Sequence, residues 1–259
     1  MVRIEFRARD LRLCYLIVVG IDLFFLAANL GIISIPSPGD VVNRQLDLKL
    51  ESNLATWYSS VQLFAAGMIA LVNARQKPFV SKLRFLYSGG WLFIALILVG
   101  ISADEVCQVH EQIATLYEGN RGPLSPPAQL GAGDWIPFLM PLIIGVPLVM
   151  VLFFSFFAAD RKVSLALGVA GVVCWIGSIY AESIEETSQR FGMSRQLEGA
   201  IEEGLEILGA TLLLMSFVEF LISLKSTSPP RAAASEACVD TEAFERGKKP
   251  SDELPDSHS

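Results

Sequence analysis

The sequence predicts an all-α fold, a six-span transmembrane helix bundle followed by a disordered C-terminal tail. Three observations carry this expectation. Of 259 residues, 52% are hydrophobic and only 18% charged, and the mean hydropathy is +0.48. The apolar residues gather into six blocks of roughly twenty, the length a helix rising about 1.5 Å per residue needs to cross about 30 Å of hydrocarbon. Lysine and arginine alternate between dense and sparse in the segments that join the blocks.

The blocks run from Leu11 to Ile35, Leu54 to Ala74, Phe85 to Ser102, Trp135 to Ala158, Val163 to Ala181 and Ile207 to Leu224. The first follows Arg3, Arg7, Arg9 and Arg12, as a signal peptide would. Its apolar run is too long for an h-region and no small-x-small cleavage site follows, so it is expected to be a retained span. Segments 36–53 and 119–134 are expected loops, marked by Pro36, Pro38 and Gly39 and by the turn-rich Gly119 to Pro127 run. From Ser226 onward the composition shifts to Ser, Pro, Ala, Glu, Asp and Lys, which cannot bury a core and predicts a disordered tail over residues 226–259. No internal repeat of the kind that marks two inverted halves is visible along the chain.

Positive residues are retained on the cytoplasmic side. With the N-terminus inside, the inner segments hold fifteen Lys and Arg and the outer segments five, Arg44, Lys49, Arg121, Arg190 and Arg195. Six spans with both termini cytoplasmic fit that imbalance. The four cysteines, Cys14, Cys107, Cys174 and Cys238, have no framework or CxxC spacing.

The acidic residues are distributed unevenly. Ten crowd three outer helix ends: Asp104, Glu105, Glu111, Glu182, Glu185, Glu186, Glu198, Glu202, Glu203 and Glu206. The third, fifth and sixth spans each measure about 26–28 Å on the standard rise, which sets Asp104, Glu182 and Glu206 at one depth. At about 100° per residue, Asp104, Cys107, His110 and Glu111 share an arc while Glu105 points further round. Glu182, Glu185 and Glu186 share a second face, and Glu198, Glu202 and Glu206 a third.

Carboxylates converging at the edge of low dielectric repel one another and lose hydration, so protons or a cation must compensate them, with Arg190 and Arg195 able to neutralise two but not the whole set. His110 is the one histidine outside the tail. With Asp104, Glu111, Glu182, Glu202 and Glu206 it forms a candidate site for a divalent metal: zinc, iron or manganese for mixed nitrogen and oxygen donors, calcium or magnesium for carboxylates alone. The plain alternative is that glutamates at projecting helix ends are solvated good helix formers. Asp22 lies in the middle of the first span, where it is either hydrogen-bonded, with Asn29 one face away, or part of an ion path. Trp57, Tyr58, Tyr117 and Trp135 stand where interfacial aromatics do and need no further role. Gly31, Gly67, Gly89, Gly90, Gly168, Gly171 and Gly209 are expected to let helices approach closely.

The segment Glu51-Ser52-Asn53-Leu54-Ala55-Thr56-Trp57-Tyr58-Ser59-Ser60, then Asp104-Glu105 with His110-Glu111, then Glu202 to Glu206 before Leu208-Gly209-Ala210, resembles a group of uncharacterised bacterial multi-pass membrane proteins over residues 40–215. Those proteins carry Leu-Asp-Glu-Ala before the His-Glu pair, where this chain has Ser102-Ala103-Asp104-Glu105-Val106. The resemblance implies the bacterial inner membrane and supplies no activity.

One histidine is too few for a membrane desaturase, hydroxylase or ceramidase-like hydrolase, and no Walker or dinucleotide motif is present. Three classes stay open: a metal-dependent membrane enzyme, a cation- or proton-coupled transporter using Asp22 and Glu219 as inner stations, and a structural or interaction protein with an acidic outer face. The expected partner is the lipid bilayer, with no nucleic acid.

Overall fold

A computed structural model describes residues 8–32, 41–48, 53–76, 81–109, 136–184 and 194–226. Seven α-helices lie among them: α1 (Ala8–Asn29), α2 (Val41–Leu46), α3 (Leu54–Ala74), α4 (Arg84–Cys107), α5 (Ile136–Phe157), α6 (Lys162–Ser183) and α7 (Arg195–Ser226). All but α2 are long and apolar enough to cross a membrane, which gives the six spans the sequence predicts. Loop 119–134, His110 and Glu111 lie outside the described residues, as does the chain after Ser226. The chain divides into two compact units, Met1–Leu221 and Ile222–Ser259. The described part of the second is the last turn of α7, and everything below concerns the first.

Several boundaries differ from expectation for local reasons. The first span stops at Asn29 rather than Ile35, because Gly31 turns the chain with a φ of 71°. The expected loop 36–53 contains α2, whose Leu46, together with the following Leu48, is buried against Phe25, Ala55 and Ile207. Asn53 caps α3 by accepting from the Thr56 amide at 3.0 Å. α7 begins at Arg195 instead of Ile207, with Ser194 Oγ accepting from the Leu197 amide at 3.2 Å. Its first three turns therefore carry the glutamates as one continuous helix. α5 contains Pro141 and Pro147, tolerated because a helix at membrane depth can pass its freed carbonyls to neighbours or local adjustments.

Side-chain pairs fix the direction of each helix. Two reciprocal serine clasps hold two antiparallel hairpins. Ser60 Oγ donates to the Ser102 carbonyl at 2.8 Å, and Ser102 Oγ to the Ser60 carbonyl at 2.8 Å, joining α3 to α4. Ser164 Oγ donates to the Ser216 carbonyl at 2.9 Å, and Ser216 Oγ to the Ser164 carbonyl at 2.7 Å, joining α6 to α7. α1 runs antiparallel to α7, since Tyr15 reaches Glu219 while Asp22 reaches Thr211. α3 runs parallel to α7, since Gln62 reaches Thr211 and Asn73 the Phe217 carbonyl. α5 is antiparallel to α4, with Tyr87 on Phe157 and Trp91 on Phe153. Successive spans therefore alternate in direction, and α1 begins on the face toward which α7 descends. α7 touches all five other spans.

Backbones approach closely where glycine leaves room. A Cβ on Gly67 would lie 3.2 Å from the Ala95 carbonyl, and one on Gly171 3.0 Å from the Gly209 carbonyl. Gly90, Gly168 and Gly209 are likewise against neighbours, as expected. Gly89 is not: nothing lies within 4 Å of the place its Cβ would take. With no hydrophobic drive between helices in lipid, such packing and interhelical hydrogen bonds carry the association. Aromatic rings fill the opposite end of the bundle, where Trp91 packs edge-on against Phe153, Phe154 and Phe217 at centroid distances of 5.4, 5.8 and 5.1 Å.

Replacing Gly171 with leucine should destabilise the protein by about 1–3 kcal/mol by forcing α6 from α7. The same change at Gly145, whose Cβ would meet nothing within 4 Å, should be near neutral. Unfolding in mixed micelles followed by circular dichroism compares the two; equal losses would contradict the packing described.

Candidate functional site

α7 presents Glu198, Glu202 and Glu206 at successive turns of one face. Glu198 belongs to the first turn of the helix, where the exposed amides favour negative charge, and is buried. Glu206 hydrogen-bonds Glu105 of α4 and lies within electrostatic reach of Glu202 and of Glu182 of α6. Four carboxylates from three helices thus meet at one end of the bundle.

The member contributed by α4 is Glu105, which helical counting had turned away from the stripe. The reason is that α4 ends at Cys107: Gln108 adopts a left-handed conformation (φ 53°) and its amide donates to the Asp104 carbonyl at 2.7 Å. A count at 100° per residue does not carry past such a residue, so Asp104 and Cys107 cannot be aligned with His110 and Glu111 that way. His110 and Glu111 are outside the described residues, as are Glu185 and Glu186. Among the described residues no group of three or more His, Cys, Asp or Glu side chains stands in metal-holding geometry.

The chemistry of the Glu105–Glu206 pair follows from its hydrogen bond. Two carboxyl groups can share one only if a hydrogen lies between them, and like charges at that separation do not both persist without a compensating cation. In this geometry the pair shares a proton.

A second polar group lies deeper. Asp22 is buried at the junction of α1, α3 and α7. Its Oδ1 accepts from Tyr58 Oη at 2.7 Å and from Gln62 Nε2 at 3.3 Å, and its Oδ2 accepts from Thr211 Oγ1 at 2.7 Å. Gln62 Nε2 also reaches Tyr58 Oη at 3.0 Å and Thr211 Oγ1 at 2.6 Å. Gln62 Oε1 is buried with no hydrogen-bond partner. These partners come from two other helices, not from Asn29 on the same one. Tyr58 is not a plain interfacial aromatic: its ring packs on Phe25 at 5.4 Å and its hydroxyl ends on Asp22. Trp57 beside it faces outward. Sequence reasoning overlooked Gln62 and Thr211, although an amide and a hydroxyl inside apolar spans were the available signal. At the far end, Tyr15 Oη donates to Glu219 Oε1 at 3.2 Å.

Residues 14–220 match the family model described as Domain of unknown function (DUF8692). The chain belongs to this family. No curated protein and no solved structure matches it. The DUF8692 match and the six apolar helices together make the protein a multi-pass integral membrane protein, and the spans it covers contain every described residue of both polar groups.

Thr211→Val and Gln62→Leu should each lower stability by about 1 kcal/mol, the scale of an interhelical hydrogen bond in a membrane protein. Because both groups serve one carboxylate, the double variant should lose less than the sum. Micellar unfolding of the four proteins checks this, and strict additivity would mean that the three side chains do not act as a network.

Proposed function

We propose that this DUF8692 protein moves a cation or a proton across the membrane, with Glu105, Glu182, Glu202 and Glu206 as the site at which it enters or leaves. The observation that carries this reading is the Glu105–Glu206 hydrogen bond inside a four-carboxylate group. Like-charged groups this close favour uptake of a proton or a cation, and one can be exchanged for the other. Asp22 with Tyr58, Gln62 and Thr211, and Glu219 with Tyr15, offer polar groups at two further depths. Ionisable residues inside a membrane are rare and usually mark an ion or proton path. Oxygen donors alone favour a hard cation such as calcium or magnesium. Zinc, iron or manganese would call for His110 in addition to Asp104, Glu111, Glu182, Glu202 and Glu206.

The test is flux into proteoliposomes, with entrapped reporters for protons and for calcium, magnesium, manganese and zinc. Wild type should carry at least one of them, and Glu206→Gln should slow that flux about tenfold or more, the effect of removing roughly 1.5 kcal/mol of interaction from a charged partner. No flux of any of these ions, or Glu206→Gln at wild-type rate, would overturn the proposal. Elemental analysis of the purified protein separates the enzyme alternative. Near-stoichiometric zinc, iron or manganese that survives dialysis and is lost in both His110→Ala and Glu111→Gln would speak for a resident catalytic metal and against transport.

A further inference from the structure

The two serine clasps sit in matching sequence contexts. Ser60 and Gly67 are seven residues apart on α3, as are Ser164 and Gly171 on α6. On the partner helices, the residues seven and three before the serine are Ala95 and Val99 on α4, and Gly209 and Leu213 on α7. The contacts match as well as the spacing. The nearest atoms to a Cβ on Gly67 are from Val99 and Ala95, and to one on Gly171 from Leu213 and Gly209. Twelve residues before each serine stands a glycine, Gly90 or Gly204. Gly90 is covered by Phe153 of α5, and Gly204 by Leu26 of α1 at 3.3 Å. α1 and α5 each have 22 residues, and Leu26 and Phe153 both lie close to the C-terminal end. Three residues beyond each serine is a glutamate, Glu105 or Glu219.

Helix for helix, α1, α3 and α4 therefore correspond to α5, α6 and α7. The copies point in opposite directions, because α3 runs parallel to α7 and α6 antiparallel to it. This is an inverted-topology repeat about an axis in the membrane plane, the construction on which alternating-access transporters are built. The equivalence also brings Glu105 and Glu219 to opposite ends of the bundle.

The two ends are not packed alike. In the aromatic end, Tyr87 is 2% exposed and Phe220 1%, while their equivalents at the carboxylate end, Ile201 and Val106, are 42% and 56% exposed. Trp91, Phe153, Phe154 and Phe217 are buried, and their equivalents Leu205, Leu26, Ala27 and Ala103 are half-buried or exposed. Equivalent positions of a symmetric arrangement would be covered equally, so the bundle is not symmetric as it stands: the aromatic end is packed shut, and the carboxylate end, where Glu105 still hydrogen-bonds Glu206, is covered more loosely.

We infer that the protein is an inverted repeat of one three-helix unit, and that it transports its cation by rocking the two copies between this arrangement and its two-fold equivalent, sealed at the carboxylate end. The inference rests on the transport reading for its cargo, a cation drawn by carboxylates. In the second arrangement Val106 approaches Leu205 as Phe220 here approaches Trp91, whose ring centroids are 4.9 Å apart.

The experiment uses the full chain with Cys14, Cys107, Cys174 and Cys238 replaced by serine. Val106→Cys with Leu205→Cys should be joined by a short thiol cross-linker in proteoliposomes. Cation flux should then be lost, and recovered when a cleavable linker is reduced. Ala103→Cys with Leu205→Cys, equivalent to Phe217 and Trp91, is an independent pair should the first fold poorly. With either pair joined, Tyr87→Cys, shielded before, should react with an impermeant maleimide from the opposite face. Flux that continues through a joined pair, or a Tyr87→Cys still shielded after joining, would overturn the rocking mechanism while leaving cation transport standing. A joined pair that uncovers Tyr87→Cys in a protein carrying no cation would support the rocking and refute the transport reading.

Discussion

α7 carries polar groups on more than one side, and in hydrocarbon each has to be answered by another helix. An unsatisfied polar group there costs several kcal/mol by order of magnitude, because no water can take the missing partner's place. That requirement surrounds α7. Thr211 calls in Asp22 and Gln62 from α1 and α3, Ser216 is clasped by Ser164 of α6, and the Phe217 carbonyl is taken by Asn73 of α3. Glu206 meets Glu105 of α4 and Glu182 of α6. Between these points the glycines of α6 and α7 bring the backbones to van der Waals contact. The remaining surfaces, packed by dispersion alone, follow the geometry that the polar contacts set.

The same arrangement separates structural polarity from exchangeable polarity. The serine clasps donate and accept within one pair, leaving nothing to trade. Asp22 receives three donors, from Tyr58, Gln62 and Thr211, which satisfy its oxygens within the protein. The carboxylate group at the end of the bundle is different: Glu105 and Glu206 meet acceptor to acceptor, and a shared proton joins them. Its place near the helix ends gives it access that the deeper Asp22 lacks.

Spans, their count and their alternation were legible because twenty-residue apolar blocks and flanking arginines are length and charge signals that no tertiary contact overrides. The acidic stripe on α7 was legible because Glu198, Glu202 and Glu206 lie four apart on one uninterrupted helix. The α4 contribution was not, because the left-handed Gln108 breaks the angular count that tied Asp104 to His110. Asp22 was visible as an anomaly, but its partners were not, since contacts between residues some 40 and 190 positions apart leave no periodic trace. The repeat was hidden for a related reason. Its matching residues are a few serines, glycines and one glutamate per copy, and the unequal connections between helices shift each helix by a different amount, so no single offset aligns the halves.

The most direct measurement of whether α7 organises the bundle is to sever it. A protease site inserted between residues 185 and 193 would separate α7 from the five preceding spans after the protein has folded. If the polar contacts hold the bundle, the two pieces should co-purify in mild detergent and melt together at the temperature of the intact chain. The account would be contradicted if α7 washed away and left a five-span piece that melted where the intact protein does.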